Sequence, residues 1–468
     1  MRRGAPALIA MAGAILAWAE LAHAQPASPP DGVAIGEFWF RPRLELRSRG
    51  EYDHHPVAAS ADELAILGSA PFAASAGVDH QWVVHERARL GLAVERGPLS
   101  GTIVAQDARL AGFPSPATVD RSVAAPTTSF HAAFLELHTQ ETHPSFVRVG
   151  RQEVAYGEGR LVGVSDWELV PRSLDAARAH WTVRQFDIDA LAALLTSPGA
   201  LPPEYGAQAS AASATSTGTG TQLYALGAAA HIDPLLNGEV LGLARIARYP
   251  LPNSLVPSDT VVIDARIFGD QSGLTYGAEF AYELGHVAIF GGNRELAAWG
   301  ATAHVDWQAA WILHPKWSFS GSYATGDERQ PTGTVRRFDP ILPDSRNGLG
   351  QMGLYAWSNI FDAAAVVTAS PSDDLVVSVG YRNVHLSDPK GAWFTASLSA
   401  VGQNVTNEAS FLGHEIDGAV SYAPLEGLTL RAGYGAFVTG DGARAILARA
   451  PGPRLLSAVF LQVSLAAP

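Results

Sequence analysis

The feature that most restricts the fold of this chain is an alternation of charged and apolar residues with a period of two. It is clearest over residues 37–51, where charged side chains take odd positions and apolar ones take even positions. Alternation of this kind puts the two sets on opposite faces of a β-strand. The charged set is Glu37, Arg41, Arg43, Glu45, Arg47, Arg49 and Glu51, and the apolar set is Phe38, Phe40, Leu44 and Leu46.

Similar segments of about ten residues recur along the chain, and turns rich in Gly, Pro, Asp and Asn separate them. They fall near 80–96, 100–110, 129–139, 145–154, 175–184, 186–195, 221–231, 238–248, 260–270, 272–284, 285–292, 297–311, 315–325, 349–358, 361–368, 373–385, 412–423, 427–438 and 454–466. Because helical periodicity is nearly absent, the chain is predicted to be all-β with roughly 18 to 20 strands.

Two all-β architectures fit this pattern. The apolar face meets a core in a soluble sandwich, whereas in a transmembrane barrel it meets lipid and the polar face lines a lumen. Tight turns near 97–98, 269–272, 371–374 and 424–427 alternate with long connections at 52–79, 111–128, 155–174, 197–220, 326–348 and 386–411. Long loops at one end are typical of outer-membrane barrels. Trp299 and Trp307, about 20 Å apart on one face, fit the two aromatic girdles of such a barrel.

The N-terminus has the form of a secretory leader. Arg2 and Arg3 precede an apolar stretch, and residues 22–24 form an A-x-A cleavage site. We expect cleavage near Ala24, a flexible segment at 25–35 and a single barrel domain at 36–468. An N-terminal membrane anchor is disfavoured, because the apolar run is short and a Pro-rich segment follows it.

The composition narrows the candidate functions. The chain has no Cys, which excludes disulfides and thiolate chemistry. Of 32 basic residues only Lys316 and Lys390 are lysine, and arginine binds carboxylates with a planar fork. A GC-rich genome would explain the scarcity of lysine equally well. The net charge of −13 argues against nucleic acid as a partner.

A long frame of Gly, Arg and aromatic residues occupies residues 146–181. It reads GRQ-x-x-x-YG-x-GR-L-x-G-x-x-DW, followed by SLDAARAHW, and its members are Gly150, Arg151, Gln152, Tyr156, Gly157, Gly159, Arg160, Leu161, Gly163, Asp166, Trp167 and Leu174 to Trp181. This frame resembles the alginate export family of bacterial outer-membrane β-barrels. Segments 273–285, 322–343 and 412–441 follow the family pattern in the same order. One departure is the last strand, whose aromatic residue is Phe460 and not the C-terminal residue.

The resemblance implies a transmembrane antiparallel β-barrel of about 18 strands in the outer membrane of a Gram-negative bacterium. It also implies diffusion-driven passage of an anionic polysaccharide such as alginate. The partners expected are outer-membrane lipid, the anionic polysaccharide or a small anionic solute, and a periplasmic export machinery.

Arginines on the polar face of the predicted strands are the candidate pore-lining and substrate-binding residues. In a barrel they converge on one lumen, where arginine favours anions. The set is Arg43, Arg47, Arg49, Arg87, Arg89, Arg148, Arg178, Arg266 and Arg431. The alternative is structural, since each arginine could pair with an acid such as Glu45, Glu95 or Asp264 and hold the shape of the barrel.

Three more candidates, Arg151, Arg160 and Asp166, belong to the family frame. Arg151 falls on the apolar face of its strand, so either the strand ends near Gly150 or a bulge turns the side chain inward. Arg160 and Asp166 lie in the following loop, where they contact substrate or brace the barrel.

No chemistry beyond passage is predicted. The GxSxG, HExxH and Walker A motifs are absent, and His54-His55 lacks a third ligand at metal spacing. We therefore predict no catalytic residue, metal or cofactor. The alternatives to polysaccharide passage are a porin for small anionic or neutral solutes and an outer-membrane enzyme.

The negative net charge requires acidic residues away from the constriction of an anion channel. The candidates to lie outside the lumen are Asp62, Glu63, Asp327, Glu328, Asp339, Asp344 and Asp388.

Overall fold

The computed structural model describes residues 32–54, 80–111, 127–139, 144–196, 220–248, 258–289, 292–327, 333–346, 348–398, 400–447 and 454–467. The predicted leader, most of the segment 25–35, His55, Asp62, Glu63 and Glu328 lie outside these residues, as do most of the predicted loops at 52–79, 111–128 and 197–220.

Almost all of the described chain is β-strand. The strands are β1 (Val33–Ile35), β2 (Phe38–His54), β3 (His80–Arg96), β4 (Leu99–Ala111), β5 (Thr127–His138), β6 (Phe146–Gln152), β7 (Leu174–Val183), β8 (Phe186–Thr196), β9 (Gly220–Asp233), β10 (Leu236–Arg248), β11 (Ser258–Gln271), β12 (Leu274–Ile289), β13 (Gly292–Gln308), β14 (Lys316–Ala324), β15 (Ile360–Ser372), β16 (Leu375–His385), β17 (Trp393–Phe394), β18 (Ala400–Gly402), β19 (Phe411–Leu425), β20 (Leu428–Thr439) and β21 (Leu455–Ala467). One short helix, α1 (Asp441–Ile446), precedes β21. In the described residues no helix has the length and apolar character needed to span a bilayer.

Eighteen of these strands close an antiparallel barrel, which confirms the predicted fold class. Strands β2 to β16 and then β19 to β21 each pair with the next of this set, and β21 returns to β2 through pairs such as Arg49–Gln462. Closure pairs the sheet edges, as a bilayer requires. Strand β1 folds back on the start of β2, and β17 and β18 form a separate hairpin.

The period-two pattern sorts side chains between the two faces of the barrel. In β13 the two tryptophans of the predicted girdles lie on the outer face, while Thr302 and Asp306 are buried inside. In β2, Leu46 is exposed on the outside and Arg47 is buried on the inside. An apolar exterior with a polar interior is the arrangement of a transmembrane barrel.

The two ends of the barrel differ in the length of their connections. Two-residue turns occupy one end, at 97–98, 184–185, 234–235, 272–273, 373–374 and 426–427. Gly273 and Gly427 give two of these turns a positive φ that favours glycine. The other end carries long connections, including 153–173, 325–359 and 386–410. We call these the short-turn end and the long-loop end, and in outer-membrane barrels the short turns face the periplasm.

Two predicted strands are wrong. Residues 285–289 continue β12, because Gly285 stays in register opposite Thr260 with a φ of +130° where a turn was expected, and Gly292 already begins β13. Residues 349–358 form no strand. Gly350 and Gly353 take positive φ there, and the apolar residues 354–357 are buried inside the barrel.

Two long connections fold into the barrel. We call residues 153–173 the first lumen loop and the described residues between 325 and 359 the second lumen loop. Their apolar side chains, among them Leu161 and Phe338, join a buried core with inward-facing residues of the wall such as Leu223, Leu243 and Val262. The inner face of the barrel is therefore partly apolar toward the long-loop end, where only polar groups were expected.

Candidate functional site

Five inward-facing arginines lie together on neighbouring strands of the barrel. Strands β20, β21, β2 and β3 are consecutive in the wall, and the register places Arg49 and Arg431 on either side of Gln462. The same register sets Arg47 opposite Arg87. We call Arg47, Arg49, Arg87, Arg89 and Arg431 the arginine wall. Cations this close repel one another, so the wall requires electron-rich partners.

The first lumen loop supplies most of those partners. The Arg47 guanidinium donates to the Asp166 carbonyl at 2.5 Å and to the Glu168 carbonyl at 2.7 Å. Arg49 donates to the Trp167 carbonyl at 2.6 Å, and Arg87 donates to Asp166 Oδ1 at 2.9 Å. Hydrogen bonds from a charged donor are among the stronger ones. Three arginines of the wall thus hold one short segment of this loop inside the barrel.

The Trp167 side chain adds ring contacts to the same attachment. The Arg49 guanidinium carbon lies 3.9 Å from its ring centroid, and that of Arg346 lies 4.3 Å away. Phe460 packs edge-on against the indole at 4.9 Å. The aromatic residue of the last strand therefore points into the lumen and supports the loop.

The two lumen loops are joined to each other. Gly163 N–H donates to the Leu342 carbonyl at 2.9 Å, and Leu342 N–H donates to the Leu161 carbonyl at 2.9 Å. The Arg172 guanidinium bridges the junction, with bonds of 2.5 Å to Gly163 O and 2.7 Å to Leu342 O. Burial lowers the pKa of Arg172, and the nearby Asp344 opposes that shift. The loops therefore form one unit in the lumen.

Glu158 connects this unit to the wall on another side. Its carboxylate accepts from Arg160 at 2.7 Å and from Arg266 of β11 at 3.0 Å, and His304 lies 3.7 Å away. Burial alone would raise the pKa of Glu158, but these cations outweigh it and lower the pKa to about 2. Glu158 is therefore ionised at neutral pH and bonded to two arginines at once.

The remaining predicted arginines on the polar face lie away from the wall and are paired with acids. Arg148 binds Glu136 at 2.6 Å, Arg178 binds Asp189 at 2.8 Å, and Arg266 binds Glu239 at 3.1 Å in addition to Glu158. Within the wall itself, Arg87 and Arg89 both bind Glu45. These pairs match the structural alternative for the arginines concerned.

Arg43 and Arg431 differ from the other members of the predicted set. Both face inward, yet neither makes a hydrogen bond or an ion pair with another residue in the part of the chain that the structure describes. Arg43 lies five residues after the start of β2, and Arg431 lies three residues after the start of β20. Both strands begin at the short-turn end, so the two free guanidinium groups lie on the periplasmic side of the lumen loops.

The three candidates of the family frame occupy different places. Arg151 lies within β6, which continues past Gly150, and it stays on the outer face 3.1 Å from Asp175. The chain turns inward two residues later, where Glu153 lies 2.6 Å from His131 Nε2. Arg160 and Asp166 lie in the first lumen loop, as predicted. Arg160 lies 3.4 Å from Glu279 of β12, and Asp166 lies 2.9 Å from Arg87 of β3.

Acidic residues line the opposite side of the lumen. In an 18-strand barrel β11 lies nine strands from β2, which is directly across. The inward-facing acids of this region are Glu239, Asp264, Glu279, Glu283 and Asp306, on β10 to β13. We call them the acidic wall. Asp339 and Asp344, which were predicted to lie outside the lumen, are in the second lumen loop, and Asp339 accepts from Arg245 at 2.8 Å. Much of the excess acid is therefore inside the barrel, across from the arginines.

Sequence reasoning missed Arg346, Arg172 and Glu158, which attach the lumen loops. These residues lie in segments without period two, so parity gives no information about where they point. The family frame includes Trp167 and its neighbours, and it is the one sequence signal that marks the first lumen loop.

Comparisons with known proteins bear on both the fold and the site. A sequence model of the family described as "Alginate export" matches residues 102–194 and 255–451. No curated protein matches the chain.

Solved porins share the architecture at low identity. OccK9 (OpdG) of Pseudomonas aeruginosa is 11% identical with a TM-score of 0.57, over 92% of this chain and 98% of that one. OccAB2 of Acinetobacter baumannii is 12% identical with a TM-score of 0.55, over 91% and 98%. OpdK of Pseudomonas aeruginosa, solved with vanillate, is 11% identical with a TM-score of 0.53, over 91% and 98%. At this identity the likeness concerns the fold.

Proposed function

Because this chain belongs to the alginate export family, and its barrel is an outer-membrane channel, we propose that the lumen passes an anionic polysaccharide or its oligomers from the periplasm to the exterior. No chemical step is part of this proposal. The family supplies the class of cargo, and the arrangement of charge inside the barrel supplies the route.

The observation that carries the proposal is the pair of free guanidinium groups, Arg43 and Arg431, on the periplasmic side of the loops. A uronate residue carries one carboxylate, and the guanidinium fork can bind it with two parallel hydrogen bonds. Since neither arginine is hydrogen-bonded to an acid among the described residues, an arriving carboxylate has no bonded partner to displace there. The two groups form the first contact of the polymer.

The arginine wall continues this path toward the lumen loops. The guanidinium groups of Arg47 and Arg87 bind Asp166 of the first lumen loop. A uronate carboxylate has the same chemistry as the Asp166 side chain and competes with it for these donors. We infer that the polymer moves past the wall by exchanging with Asp166, which loosens the loop as it passes.

Competition from Asp166 for the same guanidinium groups keeps this attraction from becoming a trap. Passage requires binding strong enough for entry and weak enough for release. The acids across the lumen do not oppose this attraction, because most of them are buried and three are paired with basic residues. A short chain of uronates then holds several weak contacts at once and releases them one at a time.

The test is the anion selectivity of the double variant Arg43→Gln/Arg431→Gln. We expect its reversal potential under a KCl gradient to move toward that of a nonselective pore, because removing two free lumen charges weakens the field felt by anions. The matched control is Arg96→Gln/Arg151→Gln, which removes one charge at the end of β3 and one on the outer face. Equal reversal potentials in the two double variants would remove Arg43 and Arg431 from the conduction path.

A second candidate is a porin for small anionic solutes, favoured by the fold that the chain shares with OccK9 and with the OpdK structure that holds vanillate. Both candidates predict anion selectivity. Only polysaccharide passage predicts that oligouronates block the current.

A further inference from the structure

An exposed apolar turn lies at the short-turn end, outside the lumen and independent of the cargo. It connects β13 to β14 and contains Trp311, Ile312 and Leu313 in sequence, with exposed fractions of 60%, 89% and 48%. The turns of the neighbouring hairpins are polar, with Ser272-Gly273 on one side and Asp373-Asp374 on the other. Three adjacent large apolar side chains in water are unfavourable, so the turn requires a partner.

Contacts with the barrel point the turn toward the lipid side of the wall. The Trp311 ring packs edge-on against Trp307 at 5.9 Å and against Trp317 at 5.5 Å. Trp307 lies on the outer face and stacks on Trp317 at 5.0 Å. The apolar surface of the turn therefore continues the lipid-facing surface of β13 and β14 beyond the ends of the strands.

The backbone holds the turn in this position. Ser370 N–H of β15 donates to the Leu313 carbonyl at 2.8 Å, and His314 N–H donates to the Trp311 carbonyl at 3.0 Å. Leu313 and His314 both have positive φ, of 73° and 43°, a conformation that costs energy in residues other than glycine. Strained conformations persist where the surrounding structure fixes them, and here the result is that the apolar side chains stay outside.

We propose that residues 311–313 insert into the periplasmic leaflet of the outer membrane and anchor this side of the barrel at the lipid headgroup boundary. Trp is enriched at that boundary because its ring is apolar and its N–H is polar. Leu and Ile beside it reach the acyl chains. Lipid is the partner that fits, since the turn adjoins a surface that lipid already covers.

The absence of cysteine from the chain makes the test direct. Ile312→Cys in the full-length protein is labelled with an environment-sensitive fluorophore and reconstituted in phosphatidylcholine vesicles. We expect quenching by nitroxides on the lipid acyl chains to exceed quenching by a water-soluble nitroxide. Leu313→Cys provides a second labelling site in case the label at 312 disturbs the turn. Asp373→Cys, in the next polar turn at the same end, is the aqueous control, and Val305→Cys on the outer face is the lipid control.

Labels at 312 and 313 that behave like the label at 305 would support the anchor. Labels there that behave like the label at 373 would overturn it. Shielding from both quenchers would overturn it as well, because it would assign the turn to contact with a second copy of the chain. None of these results depends on what the lumen transports.

Discussion

Replacing Trp167 with alanine measures what holds the first lumen loop in the barrel. The substitution removes two cation–π contacts, with Arg49 and Arg346, and the edge-on contact with Phe460. It leaves the carbonyl of residue 167 in place, so the hydrogen bond from Arg49 remains. Each partly desolvated cation–π contact contributes about 1 kcal/mol, and the aromatic pair contributes about 1 kcal/mol.

The first lumen loop therefore loses about 3 kcal/mol of the free energy that docks it against the barrel and the second lumen loop. This loss raises the ratio of undocked to docked loop roughly a hundredfold. Barrel stability is unaffected, because the strand pairing does not involve this ring. Trypsin cleaves after arginine, and the loop contains the buried or partly buried Arg160 and Arg172. We expect cleavage at these two residues to accelerate in proportion to the undocked population.

The matched control is Trp307→Ala, which removes the same side chain from the outer face of the barrel. Fragment mapping separates cleavage in the loop from cleavage elsewhere. If Trp167→Ala is cut at residues 160 and 172 no faster than Trp307→Ala, the ring contacts do not hold the loop in the barrel.

Two further predictions concern the attachment of the first lumen loop and the folding of the barrel. The pKa of Glu158 is lowered from 4.5 to about 2. Its ionised carboxylate therefore contributes fully to the docking free energy of the first lumen loop above pH 4.5, and this contribution is lost as the pH falls toward 2. At 1.36 kcal/mol per pKa unit the contribution is about 3 kcal/mol. Trypsin is inactive in acid, so cleavage of the loop by pepsin is the measurement. We expect this cleavage to accelerate between pH 4.5 and 2.5 in the native protein, and Glu158→Gln should abolish that acceleration. Gly150 has a φ of +129°, and a Cβ there would lie 2.3 Å from the Ala133 carbonyl oxygen. Gly150→Val should therefore lower the yield of folded barrel on a heat-modifiability gel. Gly418→Val should not, because a Cβ at that position meets no atom within 4 Å.

Much of the barrel wall follows from the sequence because alternation is a local property. The predicted limits of β3 to β11 agree with the structure to within a few residues, and the inward position of Arg47 follows from parity alone. The failures have local causes. Gly285 continues a strand where a glycine suggested a turn, and residues 349–358 alternate in sequence although they belong to a loop.

The lumen could not be predicted in the same way. The contact between Arg47 and Asp166 joins residues 119 positions apart, and no periodicity encodes it. Parity assigned apolar side chains to lipid, whereas Leu223 and Leu243 face inward to pack against the lumen loops. Parity also gives the face of an arginine but not its partner, so it could not separate the free Arg431 from the paired Arg178.

Passage of an anionic polysaccharide through the lumen is tested by single-channel current in a planar bilayer under a KCl gradient, with and without oligouronates on the short-turn side. We predict an anion-selective current that oligomannuronate interrupts in discrete blocks, with block durations that increase with oligomer length. An anion-selective current that oligouronates leave unchanged would contradict polysaccharide passage and favour a small-solute porin.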